Sequence, residues 1–502
     1  MKLRFLIIAT FVCILLPDAK EHLCIIDPGT REINRTEYTY PESIESENFK
    51  IHFTTSDTDS QFVNGQWFNL QSSQSYAQSI IDHAEAALSA YMEQGWVSLP
   101  PDCDESINDV DSSGHCSNFG GNDLYDIYIA NDAVGLVVPE TPYPVEPYTG
   151  GYTSYMKIST LLNEYETLPS WSYHVVAHEL HHSIQLRYGY SVSGSPGSYI
   201  YNGWFFEQSA TYMENVIYPN SIHLRTMLAN CNVVTPLTYP HYSIDYPSDI
   251  YPYRSALWQK FLVESLGDSS IVRYMWEGYG QDYASGNPTS LFPIYSEAVE
   301  IASNGNVSLS DAYSEYAVWR YYTGSRSMGN NFFEEASNYC TSSTQSSSDS
   351  PFSLSSAKGS ARFIELPSDN ISLIVSTEFP DDIQLSLVTM NEGVTNIFDL
   401  SAYGNNFYLT LSSTNTNTLL VSSSYNGQDS SDIVFSIIEN GYNIFGDINS
   451  DGDVDILDVV MLIDYILNPL SEDLYMADLN EDGEVNVLDV VLLVSNILGT
   501  SY

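Results

Sequence analysis

A twelve-residue pattern occurs twice near the C-terminus, and few features restrict a fold so tightly. The first copy runs Asp447-Ile448-Asn449-Ser450-Asp451-Gly452-Asp453-Val454-Asp455-Ile456-Leu457-Asp458. The second runs Asp478-Leu479-Asn480-Glu481-Asp482-Gly483-Glu484-Val485-Asn486-Val487-Leu488-Asp489. Each sets oxygen-bearing side chains at positions 1, 3, 5, 9 and 12 and glycine at 6, the register in which a loop wraps Ca²⁺. Each runs into an apolar stretch, Val459 to Leu467 and Val490 to Leu498, predicted to be helical. A chance acidic surface would not duplicate both the glycine and the ligand register. Two Ca²⁺ ions are therefore expected. Asp447, Asn449, Asp451, Asp453, Asp455 and Asp458 would hold one, and Asp478, Asn480, Asp482, Glu484, Asn486 and Asp489 the other.

Tandem loops of this kind, each followed by one helix and ending in Asp, resemble a type I dockerin over 446–499. The resemblance implies docking onto a cohesin-like partner. The recognition pair, often Ser-Thr at positions 10 and 11, is Ile456-Leu457 and Val487-Leu488 here, an apolar pair that could form an interface core. A calcium-stiffened tail or an intramolecular clamp is the alternative.

A second constellation lies at Val175-Val176-Ala177-His178-Glu179-Leu180-His181-His182-Ser183-Ile184. Helical residues four apart share a face, so His178 and His182 can offer two imidazole nitrogens to one metal, with Glu179 beside them. Zinc hydrolases use this arrangement, the carboxylate taking a proton from the attacking water. Catalytic zinc takes a third protein ligand, and Glu207 in Trp204-Phe205-Phe206-Glu207-Gln208-Ser209-Ala210-Thr211-Tyr212-Met213-Glu214 fits that part. His174 and His178 form a rival pair, though only the 178/182 choice puts a Glu directly after the first ligand. His181 reads as a packed histidine. Glu214 reads equally as a carboxylate orienting a ligand imidazole or as a solvated one.

These residues resemble the gluzincin metallopeptidases, whose pattern is H-E-x-x-H followed by W-x-x-E-x-x-A-x-x-x-E. Among them the chain looks most like a secreted bacterial group of metalloproteases, the MXAN_6640 family. The stretch from His182 to Glu207 is longer than in thermolysin-like members, and Gly189 to Gly203 reads as the loop that absorbs the difference. The resemblance implies one catalytic Zn²⁺ on His178, His182 and Glu207. It further implies Glu179 as general base and proton shuttle, Tyr253 as oxyanion partner, and a protein or peptide as substrate.

Composition points outside the cell. Lys2 and Arg4 precede an apolar run from Phe5 to Leu16, a secretory leader ending near Ala19, and no later stretch is apolar for long enough to span a bilayer. With 64 acidic against 16 basic residues the formal charge is −48, which argues against nucleic acid as a partner. Cys13 leaves with the leader; Cys103 and Cys116 are the first-choice disulfide, worth about 3 kcal/mol, and Cys231 with Cys340 a further candidate. Cys24 is left over, a ligand for zinc in a latent form or an unremarkable thiol. Asp102, Asp104, Asp109 and Asp111 begin like a calcium loop, but Gly120 stands where its last carboxylate belongs, so a solvated acidic loop is expected.

The fold class is multidomain. A leader (1–19) and an N-terminal extension (20–45) precede an α+β gluzincin-like domain (46–340). A Ser-rich linker (341–356), a β-sandwich accessory domain (357–440) and a small α-helical dockerin-like unit (446–499) follow. Strands are predicted at Phe49 to Thr54, Asp123 to Ala130 and Tyr155 to Ser159. Helices are predicted at Ser75 to Gln94 and Ser170 to Tyr188, with a helical half after Glu207. The expected function is a secreted zinc-dependent endopeptidase joined to partners through its calcium module. A non-catalytic adhesion or scaffold protein is the main alternative. A dockerin-bearing glycoside hydrolase, which would need two opposed carboxylates, is the other.

Overall fold

The computed structural model describes residues 35–63, 65–100, 122, 124–165, 171–190, 202–246, 250–284, 291–349, 352–355, 359–366, 371–376, 383–391, 394–400, 406–409, 416–423, 432–439, 446–448, 454–467, 477–480 and 482–498. The leader, Cys24, the Cys103 and Cys116 pair with its acidic loop, most of the Gly189 to Gly203 loop, Asn449, Asp451 and Asp453 lie outside them.

The N-terminal part is a five-stranded mixed sheet backed by helices. Its strands are β1 (Glu42–Glu45), β2 (Phe49–Phe53), β5 (Tyr125–Ile129), β6 (Gly135–Pro142) and β7 (Tyr152–Ile158), in the order β1-β2-β5-β7-β6. A small hairpin of β3 (Ser60–Val63) and β4 (Gln66–Asn69) turns at Gly65, whose φ of +82° favours glycine. Neighbours β2, β5 and β7 run parallel, while β1 and β6 close the two edges antiparallel. Helix α1 (Gln74–Glu93) starts where the Ser73 hydroxyl accepts from Tyr76 N at 3.0 Å. It buries Ala77, Ile80, Ile81, Ala84, Leu88 and Tyr91 at helical spacing.

Helix α2 (Trp171–Tyr188) carries the H-E-x-x-H residues, and every residue from His174 to Tyr188 is buried. From His174 onward it is a central helix with no solvent face. Around it stand α3 (Gly203–Ile217), α4 (His223–Ala229), α5 (Tyr251–Arg254), α6 (Leu257–Leu266), α7 (Ile271–Ala284), α8 (Phe292–Ser303) and α9 (Leu309–Tyr321). One apolar cluster runs from Phe49 of β2 through α1, α2 and α3 to Cys340, so sheet and helices share a core. The Cys231–Cys340 disulfide, with Cα atoms 5.3 Å apart, ties α4 to the end of this region. Closing so long a loop stabilises the fold by about 4–5 kcal/mol.

The Ser-rich stretch expected as a linker differs in the structure. Strand β8 (Gln345–Ser346) pairs parallel with β10 (Ala361–Leu366), and β9 (Phe352–Ser355) pairs with β16 (Asp432–Glu439). Both strands are short, Gln-Ser and Phe-Ser-Leu-Ser, and within a Ser-rich stretch composition alone does not separate such edge strands from a tether. With β11 (Ile371–Ser376), β12 (Ile383–Asn391), β13 (Val394–Asp399), β14 (Asn406–Leu409) and β15 (Thr416–Ser423) they make two sheets, β13-β12-β15-β10-β8 and β14-β11-β16-β9. The first sheet is seated on α9: Ala317, Val318, Tyr321 and Tyr322 pack with Ala361, Phe363, Val388 and Leu420. Tyr321 Oη lies 2.8 Å from Thr418 Oγ1.

At the C-terminus, α10 (Ile456–Leu467) and α11 (Val487–Ile497) pack over a small core of Ile448, Val459, Leu462, Ala477 and Leu493. Both helices begin earlier than periodicity predicted. Asn486 caps α11 and forms a reciprocal capping box with Asp489, which draws loop positions 10 to 12 into the first turn. No helix among the described residues is long and apolar enough to cross a membrane.

Candidate metal centre

Packing of α2 against α3 brings the sequence candidates together. His178 Nε2 lies 3.0 Å from His182 Nε2 and 3.1 Å from Glu207 Oε2, and the third edge, His182 Nε2 to Glu207 Oε2, is 3.3 Å. Ligand atoms about 2.0–2.1 Å from a tetrahedral ion stand about 3.3 Å apart. The triangle therefore has the size a Zn²⁺ ion requires, and its donor set, two imidazoles and a carboxylate, suits that ion. All three side chains are buried.

Each imidazole is oriented through its other nitrogen. His178 Nδ1–H donates to Glu214 Oε1 at 2.7 Å, and His182 Nδ1–H donates to Gln185 Oε1 at 2.7 Å. Gln185 is held in turn by its amide, which donates to Phe206 O at 3.0 Å. Both tautomers leave Nε2 facing the shared focus. Glu214 is thus a buried, orienting carboxylate; the solvated alternative does not apply.

Electrostatics favour a positive charge at that focus. Burial pushes Glu207 up, but His182 and His178 outweigh it and hold the carboxyl at about 2. Burial pushes His178 down, but Glu207, Glu214 and Glu179 outweigh it and raise the imidazole well above its ordinary value. Burial keeps His182 low, as it does His181, which stacks on Tyr91 at 5.2 Å and meets the Trp96 ring edge-on at 4.7 Å. His181 faces away from the ligand triangle's chemistry and serves packing.

Glu179 and Tyr253 line one small cleft, with room for about one water, together with Gly135, His174, Val175, His178, Glu214 and His223. The Tyr253 ring stacks near-parallel on His178 at 5.8 Å, and it belongs to the short helix α5, where the sequence suggested only an approach to a helix. Gly135 opens edge strand β6 directly against Glu179: a Cβ there would sit 2.4 Å from Glu179 Oε1. Sequence reasoning missed Gln185 and His223. His223 opens α4 and donates from Nδ1 to Glu214 Oε2 at 2.7 Å. No spacing rule marks it, because it joins the site from a separate short helix.

In the second acidic loop, Asp478 accepts from Asp482 N at 3.2 Å and from Gly483 N at 2.8 Å. Asp489 accepts from Leu479 N at 2.8 Å, Asn480 N at 3.2 Å and Asn486 N at 2.8 Å. Gly483 has φ +86°, the left-handed turn that position 6 demands. Asn480 Oδ1 and Asp482 Oδ1 accept from Asp482 N and Glu484 N, both at 2.9 Å. In the first loop Asp447 and Asp458 are fully buried, and Asp458 accepts from Asp455 N at 2.8 Å.

Residues 445–498 match the Dockerin type I domain, a calcium-binding module, so the C-terminal unit is a dockerin. Residues 149–289 match a family of unknown function, DUF6055. This second match spans α2 and α3 and so contains all three candidate zinc ligands, but it assigns them no activity. No curated protein matches the chain.

Proposed function

We propose that residues 46–340 form a zinc-dependent endopeptidase of the gluzincin type, exported and attached through its dockerin to a cohesin-like partner. The observation that carries the first half is the triangle of His178 Nε2, His182 Nε2 and Glu207 Oε2, with edges of 3.0 to 3.3 Å and both imidazoles oriented from behind. His178, His182 and Glu207 would hold the ion. Bound there, zinc would supply Lewis acidity to a carbonyl and lower the pKa of water.

The remaining work falls to this chain's own groups. The Glu179 carboxylate accepts the proton of the attacking water and passes it to the leaving amine. Tyr253, on the same cleft, donates its phenol hydrogen to the carbonyl oxygen as negative charge develops there. Strand β6 is the last of its sheet among the described residues, and an extended peptide would pair with it as an added strand beginning next to Glu179. Glu207 and the imidazoles are fixed by helix packing, so little reorganisation is needed on binding.

The test is metal analysis of the purified chain with casein and polysaccharide turnover before and after chelation. Zinc near one equivalent and casein cleavage abolished by chelator are the expected results. Polysaccharide turnover that survives chelation would point to the glycosidase reading. Zinc without turnover of either substrate would point to an adhesion or scaffold role. For the dockerin, Ile456, Leu457, Val487 and Leu488 are all more than half exposed, an apolar pair repeated on both helices. Their replacement by Ser and Thr should abolish pull-down of a cohesin-like partner.

A further inference from the structure

Behind the first triangle stands a second group with the same donor types. We propose that His174, Glu214 and His223 form a second site for a divalent transition-metal ion, zinc by its donor set, joined to the first through Glu214. The inference goes beyond the proposed hydrolysis and requires no turnover.

The three donors come from α2, α3 and α4, so rigid elements and not a loop place them. Their ligand atoms all lie within 4.8 Å of one another, and the residues are 2 %, 1 % and 6 % exposed. A buried imidazole pair with a carboxylate is the donor set that zinc selects. The rings of His174 and His223 lie 4.7 Å apart and within 24° of parallel.

Glu214 divides its oxygens between the two groups. Oε1 accepts from His178 Nδ1 at 2.7 Å, and Oε2 lies 2.7 Å from His223 Nδ1. An ion taken by Oε2, His223 and His174 would leave Oε1 on His178, so both sites can fill together. The small cleft that reaches His178, Glu179 and Tyr253 is also lined by His174, Glu214 and His223 and has room for about one water beside the second group. Glu214 also holds His178 Nδ1, so its charge is shared between the two groups. The second site should therefore bind more weakly and release its ion first.

Zinc counting on the full chain tests this, with millimolar calcium present to keep the acidic loops filled. Wild type loaded with Zn²⁺ and freed of excess should carry two equivalents, the weaker removed first by a graded chelator. His223→Gln and His174→Gln should each carry one, His182→Gln should keep the weaker one, and His182→Gln with His223→Gln should carry none. A wild type with a single equivalent, lost in His182→Gln and kept in His223→Gln, would overturn the second site and leave the first intact. A single equivalent lost in His223→Gln and kept in His182→Gln would overturn the first instead. Two equivalents that survive the His174→Gln, His223→Gln double variant would also overturn the proposal. Circular dichroism checks each variant's folding, and should a variant misfold, the wild-type count of two or one decides.

Discussion

His178, His182 and Glu207 are held by Glu214, Gln185 and the packing of α2 on α3 inside the largest core of the molecule. The dockerin loops are built in the opposite way. Their carboxylates accept backbone N–H groups of their own loop, and the core beneath them is a handful of residues. A buried site is prepared by its neighbours and changes little when an ion enters. A surface loop is prepared largely by the ion itself, because like charges gathered around a small core repel until a cation neutralises them. On the proposed reading, the same ability to hold a dication would couple to catalysis in one region and to folding in the other.

The sharpest way to break this contrast is at Glu179, which holds no ligand position. Glu179→Gln should retain full zinc while losing at least about 10²–10⁴-fold in kcat/KM on a peptide substrate. His182→Ala should lose both zinc and activity. Equal zinc in wild type and His182→Ala would sink the ligand assignment. Calcium removal should give the next largest effect, in the other region: EGTA should melt the α10 and α11 unit while the main unfolding transition stays in place. Calorimetry with and without EGTA reads both events. A shift of the main transition by as much as the dockerin's would show that the two regions are not independent. Smaller again is Gln185→Leu, which removes the acceptor that orients His182 and should weaken zinc affinity by about 10–100-fold without abolishing the fold.

How much of this was readable from the chain depended on whether the signal was local. The two loops and the H-E-x-x-H residues repeat at fixed spacing, so helical or loop geometry alone places them. Glu207 was reachable because its aromatic helix follows the motif. Strand β6 was not, since Gly135, Pro139 and Pro142 break the alternation that marks a strand. Proline is tolerated there because β6 lies at the sheet edge, where a missing ladder donor costs little. His223 and Gln185 carry no pattern at all; they enter by tertiary packing. The Ser-rich stretch reads as a tether because β8 and β9 are only two and four residues long among serines, and both are ordered by pairing with partner strands.

The join between the helical half and the sandwich offers two smaller tests. Arg320 is buried, its guanidinium donating to Pro236 O at 3.3 Å, Pro240 O at 3.2 Å and Gly359 O at 2.8 Å while it lies 4.2 Å from the Tyr316 ring. Arg320→Met would take the guanidinium donor from Pro236 O and Gly359 O, while Pro240 O keeps the Ala361 N–H, and should cost about 1–2 kcal/mol, read as a fall in the urea midpoint.

His241, half-buried near Arg362 of β10, gives the smallest effect and a distinctive pH signature. Burial, and then the Arg362 charge, push its pKa down to about 4. An unfolded histidine takes up its proton near pH 6.5, the folded one only near 4. The unfolded state therefore binds more protons in that window, and stability that is full above about pH 6.5 declines as the pH falls toward 4. His241→Gln cannot titrate, so its urea midpoint should fall less than that of wild type between pH 7 and 4.5, with calcium present throughout. Carboxylates elsewhere titrate equally in both proteins and cancel in the difference. An identical decline in the two would show that His241 takes up its proton as readily in the fold as in the unfolded chain, and that burial does not hold its pKa down.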